Sequence, residues 1–150
     1  ENSFEIERNK SLDSELDEIS TYLKIGGFTI GFITLLGASI GLMNIMLVSV
    51  TERTREIGLR KSIGATPKII RDQFLIESIL ICLIGGFGGV TLGILFGNLV
   101  TIFIGGGSFI IPWLWVITGL LLSTLVGILS GYIPAMKASA LDPIESLRFE

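Results

Sequence analysis

The sequence predicts an all-α fold, an integral membrane helical bundle of three transmembrane helices preceded by an amphipathic stalk helix. Three observations carry this. Charged residues make up only 17% of the 150 positions, against 49% hydrophobic, whereas soluble domains carry roughly 25% charge. No charged residue stands between Ile25 and Thr51, or between Ser78 and Met136. A helix crossing the hydrocarbon core needs about 20 apolar residues, because that core is about 30 Å thick and a helix rises about 1.5 Å per residue. The first uncharged stretch fits one span; the second fits two with a turn between them. A buried soluble core is the competing reading, but core helices rarely exceed about 14 uninterrupted apolar residues.

The elements follow in order. Residues 1–24 are acidic: Glu1, Glu5, Glu7, Asp13, Glu15, Asp17 and Glu18 stand against Arg8, Lys10 and Lys24. Leu12, Leu16, Ile19 and Leu23 are spaced four, three and four, which puts them on one helix face. This is a stalk leading into the membrane. Its apolar face fits either packing on a further domain or a coiled-coil seam with a partner stalk, and two heptads do not decide between them. The first span is placed at 25–50, and residues 25–150 read as one membrane domain.

After that span comes Thr51-Glu-Arg-Thr-Arg-Glu-Ile-Gly-Leu-Arg-Lys-Ser-Ile-Gly64. Glu56 precedes Arg60 by four residues, the favourable order for a helical ion pair. Gly64 reads as a helix stop, Thr66 as the next N-cap and Pro67 as the first residue of a new helix. Residues 51–66 therefore form a short charged helix and a tight turn. The new helix enters the membrane near Phe74, and its span is placed at 74–104. It ends at Gly105-Gly-Gly-Ser-Phe-Ile-Ile-Pro112, too rich in glycine and proline to stay helical. Trp113 and Trp115 mark an interface and open the third span at 113–134. In the tail, 137–150, Asp142 and Pro143 predict the start of a short surface helix.

Lys and Arg set the orientation. The 51–73 stretch carries Arg53, Arg55, Arg60, Lys61, Lys68 and Arg71; the 105–112 loop carries none; the tail carries Lys137 and Arg148. The positive-inside rule makes the first loop and the C-terminus cytoplasmic, and puts the glycine loop and the stalk outside.

No enzymatic constellation is present. The chain has no His, which removes the commonest general base and metal ligand. Its lone Cys82 lies in an apolar run, so neither a disulfide framework nor a thiolate metal site is expected. Gly85-Gly-Phe-Gly-Gly89 lacks the Lys-Ser/Thr partner of a phosphate loop and lies within a span. No cofactor is expected in this segment, nor a nucleic-acid partner. Beginning at Glu1 without a Met, the chain reads as a piece of something longer.

The polar residues near the spans have plain readings. Glu77 fits an interfacial carboxylate that reaches cytoplasmic water or pairs with a basic loop residue better than a coupling or gating group. Asn44 fits interhelical hydrogen-bonding glue better than a substrate ligand. Gly85, Gly89, Gly93 and Gly97 recur every four residues, and Gly27/Gly31, Gly37/Gly41 and Gly127/Gly131 repeat the spacing. In lipid, helices associate by close backbone contact that small residues permit, so these glycines are expected to pack helices tightly. A small-ligand pocket is the alternative.

Three stretches resemble the MacB-type, or FtsX-like, permease domain of ABC transporters. They are residues 44–65, Phe74-Leu-Ile-Glu-Ser78, and Gly131-Tyr-Ile-Pro-Ala135 with Ala138, Ala140 and Asp142-Pro-Ile-Glu-Ser-Leu-Arg148. The resemblance covers roughly 25–148. It implies a dimer of permeases in a bacterial cytoplasmic (inner) membrane, a further span and an outside domain upstream, and a cytoplasmic ATPase holding ATP and Mg. It further implies that the charged segment, with Glu52, Arg53, Arg55, Glu56, Gly58, Arg60 and Lys61, docks on that ATPase. On the residues alone, a solvated face or an anionic-lipid contact stands beside docking, and the mixed signs weaken the lipid contact. Export or release of a macrolide, antimicrobial peptide or lipoprotein is the implied activity. A regulatory scaffold activating a cell-wall hydrolase without transport is the alternative.

Overall fold

In a computed structural model, residues 2–105 and 109–147 are described, with side chains at 10–105 and 109–146. Glu1, the side chains of Glu5, Glu7 and Arg8, residues 106–108 of the glycine turn and Arg148 lie outside the described residues. Among those described, every regular element is a helix: α1 (Asn2–Glu52), α2 (Thr54–Ser62), α3 (Pro67–Ile104), α4 (Trp113–Ala140) and α5 (Pro143–Leu147).

Three helical segments are long and apolar enough to cross a membrane: Lys10–Glu52, Pro67–Ile104 and Trp113–Ala140. At 38 residues α3 is about 57 Å long, well beyond the hydrocarbon thickness. Its first turns, with Lys68, Arg71, Asp72 and Glu77, can therefore stand in the headgroup region and water while the uncharged remainder spans.

The helix ends obey local chemistry. Thr66 accepts a hydrogen bond from the Ile69 N–H, with Pro67 opening α3, as the N-cap rule requires. Gly64 (φ 109°) turns the chain between α2 and α3, and Gly105 (φ 86°) ends α3. These left-handed conformations strain any residue with a Cβ. Asp142 accepts from the Ile144 N–H at 2.8 Å and starts α5.

The chain divides into two units, Glu1–Gly37 and Ala38–Glu150. In the first, Leu12, Leu16, Ile19 and Leu23 are all exposed, and a Cβ on Gly26, Gly27, Gly31 or Gly37 would meet nothing within 4 Å.

In the second unit α3 and α4 form the main helix pair. Its buried core lies at the end where α2 sits: Met46, Val50, Ile57, Ile70, Phe74, Ala135 and Ala138, with Leu42, Ala65, Leu75 and Leu141 against them. Polar contacts tie the spans nearby. The Ser78 hydroxyl donates to the Gly127 carbonyl at 2.9 Å, and the Ser39 and Ser130 hydroxyls lie 2.8 Å apart.

The close approach of α3 and α4 rests on other glycines than the four-residue repeat on α3. A Cβ on Gly127 would lie 2.9 Å from Ile79 Cα; one on Gly131 would overlap Ser78 Oγ; one on Gly86 would lie 2.5 Å from Ser123 Oγ. At Gly85, Gly89, Gly93 and Gly97 it would meet nothing within 4 Å. Among the described residues of the second unit, no neighbour lies within packing distance of these four. Asn44 likewise is exposed and has no hydrogen-bond partner among the described residues. The polar ties come instead from Ser78, Ser130 and Asn98.

Candidate functional site: the charged helix between the spans

The nine residues of α2 have two faces. Thr54, Ile57 and Gly58 are buried and Lys61 is half-buried; their spacing of three, one and three describes one helical stripe. Ile57 enters the core. Gly58 meets α5, where an added Cβ would stand 2.6 Å from the Ser146 Cβ and 3.4 Å from the Pro143 carbonyl oxygen. Only a residue without a side chain lets the two helices come this close. The Lys61 ammonium donates to the Ser139 and Leu141 carbonyls, each at 2.6 Å. These lie at the C-terminal end of α4, where helix carbonyls lack intrahelical partners and a cation is favoured. Burial pulls the Lys61 pKa below the ordinary lysine value, with Asp142 opposing.

The other face is open. Glu52, Arg53, Arg55, Glu56 and Leu59 are exposed. Arg60 bonds Glu56, the ion pair read from the sequence, and donates to Gln73 Oε1 at 2.9 Å. Arg53 lies 3.5 Å from Glu77, so Glu77 has the basic loop partner expected of an interfacial carboxylate. Glu52 and Arg55 have no ion-pair or hydrogen-bond partner among the described residues. Exposed pairs such as these contribute about 0–1 kcal/mol, so the core and the Gly58–Lys61 stripe hold α2 in place. The seven sequence candidates thus divide: Gly58 and Lys61 point inward, while Glu52, Arg53, Arg55 and Glu56 point outward, with Arg60 between.

Several residues of this end escaped the sequence. Ser146 lies within the closing Asp142–Arg148 motif, but its burial against Gly58 is not legible there, and the Ser139 and Leu141 carbonyls carry no motif. Ile57 could have been found from its spacing with Thr54 and Lys61. At the far end of α3, buried Asn98 donates to the Ile94 and Ile110 carbonyls at 2.8 and 3.0 Å and accepts from the Ile110 N–H at 2.8 Å. It pins the chain beyond the glycine turn. Beside it, Gly93, Gly97, Thr101 and Trp115 line a groove of ≈ 390 Å³. Among the described residues no cluster of His, Cys, Asp and Glu could hold a metal ion.

α2 thus lies between two membrane-length helices with one face fastened and one charged face open. The FtsX-like permease C-terminal family matches residues 28–143. The chain belongs to that family. The match takes in α2, α3, α4 and the Asp142–Pro143 start of α5, so it covers the open face and the Lys61 fastening to Ser139 and Leu141, and stops short of Ser146. Among its relatives, the macrolide export ATP-binding/permease protein MacB of Mannheimia succiniciproducens is 42% identical over 147 residues, 98% of this chain and 23% of that protein. An uncharacterized ABC transporter permease, YknZ of Bacillus subtilis, is 45% identical over 150 residues, all of this chain and 38% of that protein. A probable syringafactin export ATP-binding/permease protein, SyfD of Pseudomonas syringae pv. tomato, is 48% identical over 118 residues, 79% of this chain and 18% of that protein. The chain thus spans 18 to 38% of the length of these relatives.

Proposed function

We propose that this chain is the C-terminal membrane segment of an ATP-driven exporter of the MacB type. Its α2 is the coupling helix on which a cytoplasmic ATPase, holding ATP and Mg, docks. The observation that carries this is the two-sided build of α2. One face is anchored in the core and against α5. The other presents Arg55, Glu56 and Leu59 without covering, and Glu52, the last residue of α1, is exposed just before it in the chain. Two relatives are named as joining an ATP-binding part and a permease in one protein, which supports an ATPase as the occupant. The segment works as a pair of permease copies in the bacterial cytoplasmic membrane, with residues 1–24 as an outside stalk, 25–150 as the membrane domain and the 137–150 tail inside. Motion delivered to α2 passes through the spans to the stalk, and the cargo is a hydrophobic or peptidic amphiphile. The names of the relatives, macrolide and syringafactin exporters, agree with that class.

The test is charge reversal on the open face, in the full protein with its ATPase. Arg55→Glu should weaken docking or uncouple ATP hydrolysis from export while membrane insertion is retained, since a reversed charge faces its former counter-charge as a like one. A compensating reversal on the ATPase should restore part of the activity. Normal coupling in an Arg55→Glu/Arg60→Glu double variant would reduce α2 to a solvated loop. Orientation has its own check. In a Cys82→Ala background, an impermeant thiol reagent applied to cells should label Phe109→Cys and spare Ser62→Cys, and the reverse pattern would invert the topology.

A further inference from the structure

The inward stripe of α2 has a role that the docking face does not supply. α4 ends at Ala140, and a helix end leaves its last carbonyls without intrahelical donors. At α4 two carbonyls near this end, Ser139 and Leu141, are met by the ammonium of Lys61, from a helix some 80 positions earlier. Three residues before Lys61, Gly58 lets α2 lie directly on Ser146 of α5. One face of one helix therefore grips both sides of the α4–α5 junction. We infer that Lys61 and Gly58 are transmission residues: they fasten α2 to the α4–α5 junction, so that α2, the end of α4 and α5 move as one body when α2 is moved. This rests on the reading of α2 as the ATPase-docking helix and deepens it. The outward residues would receive the motion, and Lys61 and Gly58 would hand it to the third span. Lys61 is thus a positioning residue, and its loss should leave docking intact.

The experiment is amide exchange on the full-length protein with its ATPase in lipid nanodiscs, with and without ATP plus vanadate. In the parent, nucleotide should change exchange in 54–62 and in 139–146 together. Lys61→Met should raise resting exchange in 139–146 by roughly tenfold, the loss of charge-assisted hydrogen bonds. It should keep the nucleotide response of 54–62 and abolish that of 139–146. Lys61→Cys, in a background without other cysteines, should behave like Lys61→Met until alkylated with bromoethylamine, which rebuilds a lysine-length ammonium and should restore the joint response. A purely structural lesion would not be reversed in this way. Gly58→Ala is the second variant: it leaves every charge in place, and its Cβ should lift α5 and weaken the same response. Parental responses at 139–146 in both Lys61→Met and Gly58→Ala, or a loss at Lys61→Cys that alkylation fails to restore, would overturn the inference. If 54–62 of the parent ignores nucleotide, the docking reading falls and this one with it, an outcome distinct from a failed fastening.

Discussion

The two glycine faces in the second unit have the same spacing and opposite surroundings. On α4, Gly127 and Gly131 lie against α3 so closely that a Cβ would overlap Ser78 or crowd the Ile79 backbone. On α3, Gly85, Gly89, Gly93 and Gly97 have nothing within 4 Å of where a Cβ would stand. A four-residue period tells which residues share a face; what the face meets is decided by the neighbouring helix. What marks the α4 face as the one that joins α3 and α4 is its partner chemistry. Ser78, buried and facing Gly127 and Gly131, bonds the Gly127 carbonyl directly.

Substitutions can break this contrast in graded steps. The largest effect is expected from Gly131→Leu, which should separate α3 from α4 at a cost of about 3 kcal/mol, read as lost thermal stability of the full protein in detergent. Replacing Gly131 with Ala should be milder and repairable. Both close contacts of its Cβ are side-chain atoms of Ser78, so Ser78→Gly should recover most of the stability. Gly127→Ala should resist the same repair, because it meets the Ile79 Cα and the Ser78 carbonyl oxygen, which no side-chain change removes. Asn98→Leu, one residue beyond Gly97, leaves the Ile110 N–H and carbonyl unpaired. It should cost about 1–3 kcal/mol and open the loop around Ile110 to proteolysis. Ser78→Ala alone should cost about 0.6 kcal/mol, the usual size of an interhelical hydrogen bond in a membrane. Gly89→Leu should leave the α3–α4 pair at parental stability. If it also lowers the yield of assembled complex on native gels, the α3 repeat is a face for another chain; parental assembly would remove that role.

The three long helices were legible because burial in lipid requires unbroken apolar sequence, and the charge gaps at 25–51 and 78–136 spell that out. The helix ends were legible for a local reason: Gly64, Thr66, Pro67 and Asp142 satisfy backbone groups within a few residues of themselves. The charged helix and its Glu56–Arg60 pair were visible for the same reason. The inward role of Lys61 was not. A lysine in a run of charges looks like any other solvated cation, and its acceptors are backbone carbonyls, which every residue carries. Gly58 was picked out as part of a motif, but its motive, a bare contact with Ser146, depends on a segment far along the chain. Asn98 and Asn44 are each a single amide in an apolar helix, and the sequence does not separate the one with partners among the described residues from the one without. Only the fold decides which of them finds a loop to hold.

The seat of α2 also sets a timetable. Lys61 finds its acceptors 78 and 80 residues later in the chain. At the usual ribosomal pace of 5–20 residues per second that is about 4–16 s of synthesis. Throughout that interval the Gly58 face has no α5 to cover it and the Lys61 amine has no carbonyls to bind, although α2 itself is already made. A nascent chain therefore keeps this face bare until α5 has been made, so the last contact of α2 to form waits on the last helix of the domain.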